Sequence, residues 1–133
     1  MFRWMLVLLS LPLIACAGDE SIYAYGAKGK IWVLEEISGS PAPIRMTMEF
    51  LASGAVRGAL ACNVFSGKQT APYPWFEIAQ LATTKRACPN ITVDARLDQL
   101  FLSMSQAEIF GDVLILRDET GITMLFQAEN PVN

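Results

Sequence analysis

The segment Arg45–Leu60, RMTMEFLASGAVRGAL, decides what kind of fold this chain adopts. Over Arg45–Phe50 apolar and polar residues alternate strictly. Met46, Met48 and Phe50 therefore share one face of an extended strand, and Arg45, Thr47 and Glu49 the other. Ser53-Gly54 supplies turn chemistry and Val56–Leu60 resumes as a second extended stretch, which predicts a hairpin. The alternation fixes its register, because a slip of one residue would turn both methionines into water.

The theme extends outward in both directions. Ile31–Ile37, IWVLEEI, is rich in strand formers and ends at the turn cluster Ser38-Gly39-Ser40-Pro41. Trp75–Leu81 reads as another strand. Val113–Leu116 and Ile122–Phe126 read as a pair joined by Asp118-Glu119-Thr120-Gly121, with Gly121 available for positive φ. One segment departs from the two-residue period: Val93, Leu97, Leu100, Phe101 and Met104 recur at helical spacing. They predict one amphipathic helix over about 94–106, with Thr92 or Asp94 as its N-cap. Short antiparallel strands with a single helix imply a mainly β (α+β) fold, a small antiparallel curled sheet or partly closed barrel with one packed helix.

The chain of 133 residues is 53% hydrophobic and 17% charged, and part of that apolar excess is local. Phe2–Ala15 carries one charge, Arg3. It falls short of the roughly 20 apolar residues that span a bilayer, and it gives way directly to a polar stretch. It therefore reads as an export signal. Leu13-Ile14-Ala15-Cys16 resembles the bacterial lipobox, in which the cysteine thiol receives a diacylglyceryl group and the signal is cut before it. The organisation expected is a lipoprotein signal peptide over 1–15, lipidated Cys16 and a flexible tether over 16–29, one domain over 30–128 and a short tail over 129–133.

At about 0.8 kcal/mol per buried methylene, two or more acyl chains hold permanently where one holds marginally. Without residues 1–15, nine basic side chains face thirteen acidic ones, a formal charge of −4. That balance argues against nucleic acid and against a basic patch on anionic lipid. The membrane partner is then reached through lipid on Cys16, facing the periplasm, with an envelope protein as the unidentified second partner. Ala17 in place of Asp leans toward the outer rather than the inner membrane by the enteric sorting convention.

Assigning Cys16 to lipid leaves Cys62 and Cys88. In an oxidising compartment such a pair is either a disulfide or two separately buried thiols. A disulfide closing about 26 residues would contribute roughly 3.5 kcal/mol on the chain-entropy estimate.

Catalytic chemistry is poorly provided for. The chain has no histidine, and so lacks the commonest general base and metal ligand at neutral pH. Glu35 and Glu36 are sequence neighbours, so on a strand they point to opposite faces. The sequence contains no phosphate-binding glycine loop, nucleophile elbow or acidic calcium loop. The expectation is a non-enzyme without cofactor or metal. The residues nominated for a ligand or an interaction are Asn63, Phe65, Tyr73 and Trp75. Two uses are open to them. One is an apolar ligand inside the barrel, beside Met46, Met48, Phe50 and Phe76. The other is inhibition of an envelope or foreign hydrolase by a pinned loop, Asn63–Ser66 or Tyr73-Pro74.

Four local patterns occur in order along the chain. They are Trp32-x-Leu34; Met48-Glu49-Phe50 with Gly54-x-x-x-Gly58 and Ala61-Cys62-Asn63-x-Phe65-x-Gly67; Leu81-Ala82-Thr83-Thr84-Lys85-Arg86-Ala87-Cys88; and Gly111-Asp112-x-Leu114-x-Leu116 with Gly121-x-x-x-x-Phe126. Together these resemble the META domain family, in its HslJ-like bacterial lipoprotein form, over roughly residues 30–128. The resemblance implies a small antiparallel β fold with a helix, an envelope location, two cysteines able to pair, and no catalytic residues to carry over. The family's Gly-Cys-Asn is Ala61-Cys62-Asn63 here, and its Thr-Arg-Met-Ala-Cys is Thr84-Lys85-Arg86-Ala87-Cys88. If that glycine takes positive φ, Ala61 would be strained by ~1 to 2 kcal/mol, or the loop must differ.

Overall fold

The structure, a computed structural model, describes residues 18–89 and 91–129. The segment read as a signal peptide, Cys16 and the residues after Glu129 lie outside the described residues.

The hairpin read from Arg45–Leu60 is present, as β3 (Thr47–Phe50) and β4 (Ala55–Ala59), with Met48 opposite Gly58 and Phe50 opposite Val56. Met46, Met48 and Phe50 are all buried, as the alternation requires. Around this pair the chain builds one antiparallel sheet. Its other strands are β1 (Ile31–Ile37), the two-residue β2 (Ser40–Pro41), β5 (Val64–Gln69), β6 (Ile78–Thr83), β7 (Gln106–Phe110), β8 (Val113–Arg117) and β9 (Thr123–Glu129). The spatial order is β6-β5-β4-β3-β1-β9-β8-β7, with β2 paired to β1 outside that path. The sheet curls into a half-barrel closed by α1 (Ile91–Ser103).

The interior is apolar and continuous. Phe50, Phe76, Phe101 and Phe65 form a chain of edge-on and tilted rings, with successive centroids 6.3, 5.8 and 5.5 Å apart, linking sheet to helix. Such ring geometries add to the burial of the rings themselves.

β1 contains a bulge that explains its composition. Trp32 and Leu34 point inward, and strict alternation would send Glu36 in after them. The pairing with β9 slips instead between Leu34 and Glu36, so that Ile37 lies opposite the buried Met124 and both glutamates stay exposed. One extra residue re-phases the strand. In the β8–β9 turn, Gly121 has the expected positive φ, 97°, and Asp118 Oδ1 accepts the N–H groups of Thr120 and Ile122.

Four readings need correction. The helix begins at Ile91 and ends at Ser103, earlier than 94–106, so Asp94 stands inside its first turn rather than at its cap. The strand placed at Trp75–Leu81 is β6, Ile78–Thr83. Trp75 belongs to a connector that seals the free edge of β7: Ala107 N–H donates to Pro74 O (2.8 Å), Phe76 N–H to Ser105 O (2.9 Å) and Ile109 N–H to the Tyr73 hydroxyl (3.1 Å). An exposed edge is a template for unwanted pairing, and this connector covers it. The 16–29 segment is not a free tether throughout. Tyr23–Ala27 form a helical turn, Ile22 and Ala27 are buried in the core, and Tyr73 N–H donates to Glu20 O (2.7 Å). Finally, Ala61 does not take positive φ. Among the described residues the non-glycines that do are Ser38 and Gln80, so the strain foreseen for an alanine there does not arise.

Candidate functional site

Between β4 and β5 the chain turns through Leu60–Asn63, and this turn is held from three directions. Leu60 N–H donates to Asn63 O (2.7 Å), which closes the turn on itself. Cys62 forms a disulfide with Cys88, Cα–Cα 6.1 Å, fastening the turn to the segment that leads into α1. The third hold is Asp94.

Asp94 is 2% exposed and sits on the inner face of the helix with Leu97 and Phe101. Its Oδ2 accepts the backbone N–H of Asn63 (3.0 Å), the backbone N–H of Cys62 (3.2 Å) and the side-chain amide of Asn63 (3.4 Å). Asn63, 3% exposed, passes the connection on, its Oδ1 accepting from Arg86 N–H (2.8 Å) and the Thr84 hydroxyl (2.9 Å). Thr84 in turn accepts the N–H of Val64 (3.1 Å). Turn, helix and the post-β6 segment thus share one network, buried at Asp94 and Asn63 and open to the surface at Thr84 and Arg86, in which the Asn63 amide is engaged at both ends.

One atom is left over. Asp94 Oδ1 is buried and has no hydrogen-bond partner among the described residues. Beside it lies a cleft of about 230 Å³ lined by Asn63, Thr83, Thr84, Lys85, Asp94 and Asp98, among others. Burial pushes the Asp98 carboxyl above its usual range; a hydrogen bond from Thr83 opposes the shift and the nearby charge of Asp94 adds to it. Carboxylates at i and i+4 on one helix face repel one another in this way.

The nominated residues separate into two groups. Asn63, Cys62 and Cys88 meet in this node. Phe65 lies below it, 3% exposed, with its ring over Gly58. Tyr73 and Trp75 lie at the β7 edge. Tyr73 stacks on Tyr25 (4.8 Å between centroids), and Trp75 is 57% exposed beside Glu108 and Arg117, which form an ion pair. Asn63–Ser66 is not a projecting probe: Asn63 is buried and engaged at both ends of its amide, and Val64–Ser66 are paired within β5. Met46, Met48, Phe50 and Phe76 occupy the barrel interior themselves. Asp94, Thr84 and Asp98 escaped the sequence reading. The signal for Asp94 was present, since it falls on the same stripe as Leu97, Phe101 and Met104, where an acid is out of place.

A single antiparallel half-barrel, closed by one helix and clamped to it by a disulfide and a buried carboxylate, defines a class of small β domain. The chain belongs to the META domain family, whose model matches residues 27–131. Solved structures share the fold. A protein determined by NMR superposes with a TM-score of 0.63 at 20% identity, over 83% of this chain and 97% of its own. A DUF4847 family protein from Bacteroides vulgatus gives 0.63 at 14%, over 86% and 100%. A protein from Burkholderia xenovorans, also determined by NMR, gives 0.59 at 18%, over 86% and 93%. No curated protein sequence matches the chain.

Proposed function

We propose that this chain is a lipid-anchored envelope protein whose META domain, facing the periplasm, is a non-catalytic interaction or stability module. The observation that carries the reading is Leu13-Ile14-Ala15-Cys16 at the end of a short apolar segment. The Cys62–Cys88 disulfide supports it, since such bonds persist outside the reducing cytoplasm. The node supports the non-catalytic part: Asp94 Oδ2 holds the backbone N–H of Asn63, and the Asn63 amide is engaged at both ends, its nitrogen by Asp94 and its oxygen by Arg86 N–H and the Thr84 hydroxyl. No helix among the described residues is long and apolar enough to cross a membrane.

The test is the intact mass of the protein purified from bacterial membranes, with a Cys16→Ser variant alongside. The expected species starts at Cys16 and carries acyl chains, while the variant fails to enter the membrane pool. An unmodified Cys16 still preceded by residues 1–15 would overturn the anchoring.

A further inference from the structure

Resting on the lipidation just proposed, we propose that the domain does not hang free beneath its anchor. It sits on the bilayer surface, with Tyr25 and Phe110 seated among the lipid headgroups.

The length of free chain leads to this. Glu20 is already fixed to the fold through the bond from Tyr73 N–H, 2.7 Å, and Ile22 is in the core. Only four peptide steps lie between Cys16 and Glu20, a reach of at most about 14 Å fully extended. An acylated Cys16 stands at the headgroup level, so the face that receives Glu20 cannot lie more than about 14 Å away from it.

That face carries exposed aromatic surface. Tyr25 is 52% exposed and stacks on Tyr73, whose hydroxyl takes the N–H of Ile109. The neighbouring Phe110 is 64% exposed at the end of β7. This is also the end from which β1 starts, since Lys30 Nζ donates to Gly111 O (2.7 Å). Two ion pairs lie at this end, Lys30 with Asp112 (3.3 Å) and Arg45 with Glu129 (2.9 Å), while Asp19 and Glu20 on the entering chain are exposed and form no ion pair among the described residues. Aromatic rings concentrate at the membrane–water interface, and the acidic surplus suits zwitterionic rather than anionic headgroups.

The patch is small, and its size fits the role. Once the lipid holds the domain, docking is intramolecular and runs at a high effective concentration. Two rings then orient a domain that they could not recruit from solution.

The experiment uses the full lipidated chain, reconstituted in phosphatidylcholine vesicles brominated near the top of their acyl chains. In a Trp75→Phe background, whose remaining emission from the buried Trp32 is measured and subtracted, Phe110→Trp and Tyr25→Trp place a reporter in the patch. Leu102→Trp places one on the exposed side of α1, which leads into the opposite end of β7. The expectation is that emission at 110 and 25 is quenched and blue-shifted, while emission at 102 matches that in unbrominated vesicles. Protein that floats with the vesicles but shows position 110 no more quenched than position 102 would overturn the docking and leave the anchor standing. Protein that fails to float would overturn the anchoring, and the docking with it.

Discussion

Asp94 on α1 and Asn63 at the foot of β5, 31 residues apart in sequence, are joined by a carboxylate accepting a backbone N–H at 3.0 Å, inside the protein. The same oxygen holds Cys62 N–H, so removing the carboxylate strands two backbone donors at once. Each buried unpaired donor costs about 1–3 kcal/mol. Asp94→Ala is therefore expected to lower stability by about 2–6 kcal/mol, read as a lower urea midpoint at unchanged slope.

The disulfide and Asp94 fasten the same turn to the same stretch of chain. Cys62→Ser/Cys88→Ser alone should remove about 3.5 kcal/mol, the loop-closure estimate for a separation of 26 residues. The triple variant with Asp94→Ala should depart from the sum of the separate effects, because neighbours sharing one element are coupled. Simple addition within error would show that the two holds act independently. A thermodynamic cycle in urea measures this directly.

Gly58 owes its place to close approach. A Cβ at this position would run into the carbonyl oxygen of Thr47 and the ring of its cross-strand partner Phe65. Gly58→Ala should destabilise by about 1–3 kcal/mol, the range for an overpacked core. Pairing it with Phe65→Leu should recover part of the loss, which thermal melts of the four proteins would show.

Acid should relieve Asp98. Its folded pKa is raised, so its ionisation opposes folding. The contribution is favourable below 3.8, its usual value, and is lost as pH rises through the folded value. Asp98→Asn should therefore raise the melting temperature at pH 7, with the gain shrinking as pH falls through the folded value toward 3.8. Asp118 has the opposite sense. Its desolvation, which raises the pKa, is outweighed by hydrogen bonds from Thr120, Ile122 and Gly121, and the carboxyl is held below its usual range. Its contribution is present above the unfolded pKa and lost as pH falls through the folded one. Melts of Asp98→Asn, Asp118→Asn and parent across pH 3–8 separate the two signs.

Tyr73→Phe removes the acceptor for Ile109 N–H at the β7 edge while leaving the stacking with Tyr25. The expected effect is about 1 kcal/mol and faster amide exchange at Ile109, with the β8–β9 amides unchanged. Exchange spreading through β8 would mean that the connector holds more of the sheet than its edge.

The parts of the fold legible in sequence were those whose pattern is local. Arg45–Phe50 alternates because one face meets the core, and Gly121 turns because a tight reversal needs positive φ; neither depends on a distant partner. β5 was less visible: Val64-Phe65-Ser66-Gly67-Lys68-Gln69 holds one buried apolar side chain, Phe65, packed against Gly58 from the adjacent strand, and its other buried residue is the polar Gln69. β7 was hidden for a similar reason, its edge being completed by Tyr73–Phe76 from another part of the chain. The bulge in β1 made Ile37 an inner residue that simple alternation places outside.

By itself, then, the sequence determined the antiparallel β class, the single helix and its inward stripe, and the two reversals at Gly54 and Gly121. Tertiary structure alone decided that Asp94 is a clamp and not a helix cap. It also decided that Asn63 is a buried relay and not a probe, and that Ile22 and Ala27 belong to the core. Periodicity reports which face of an element is buried, a property set by neighbours along the chain. Whether a buried polar group is satisfied depends on donors that only folding brings within 3 Å, and no spacing in the sequence encodes that distance.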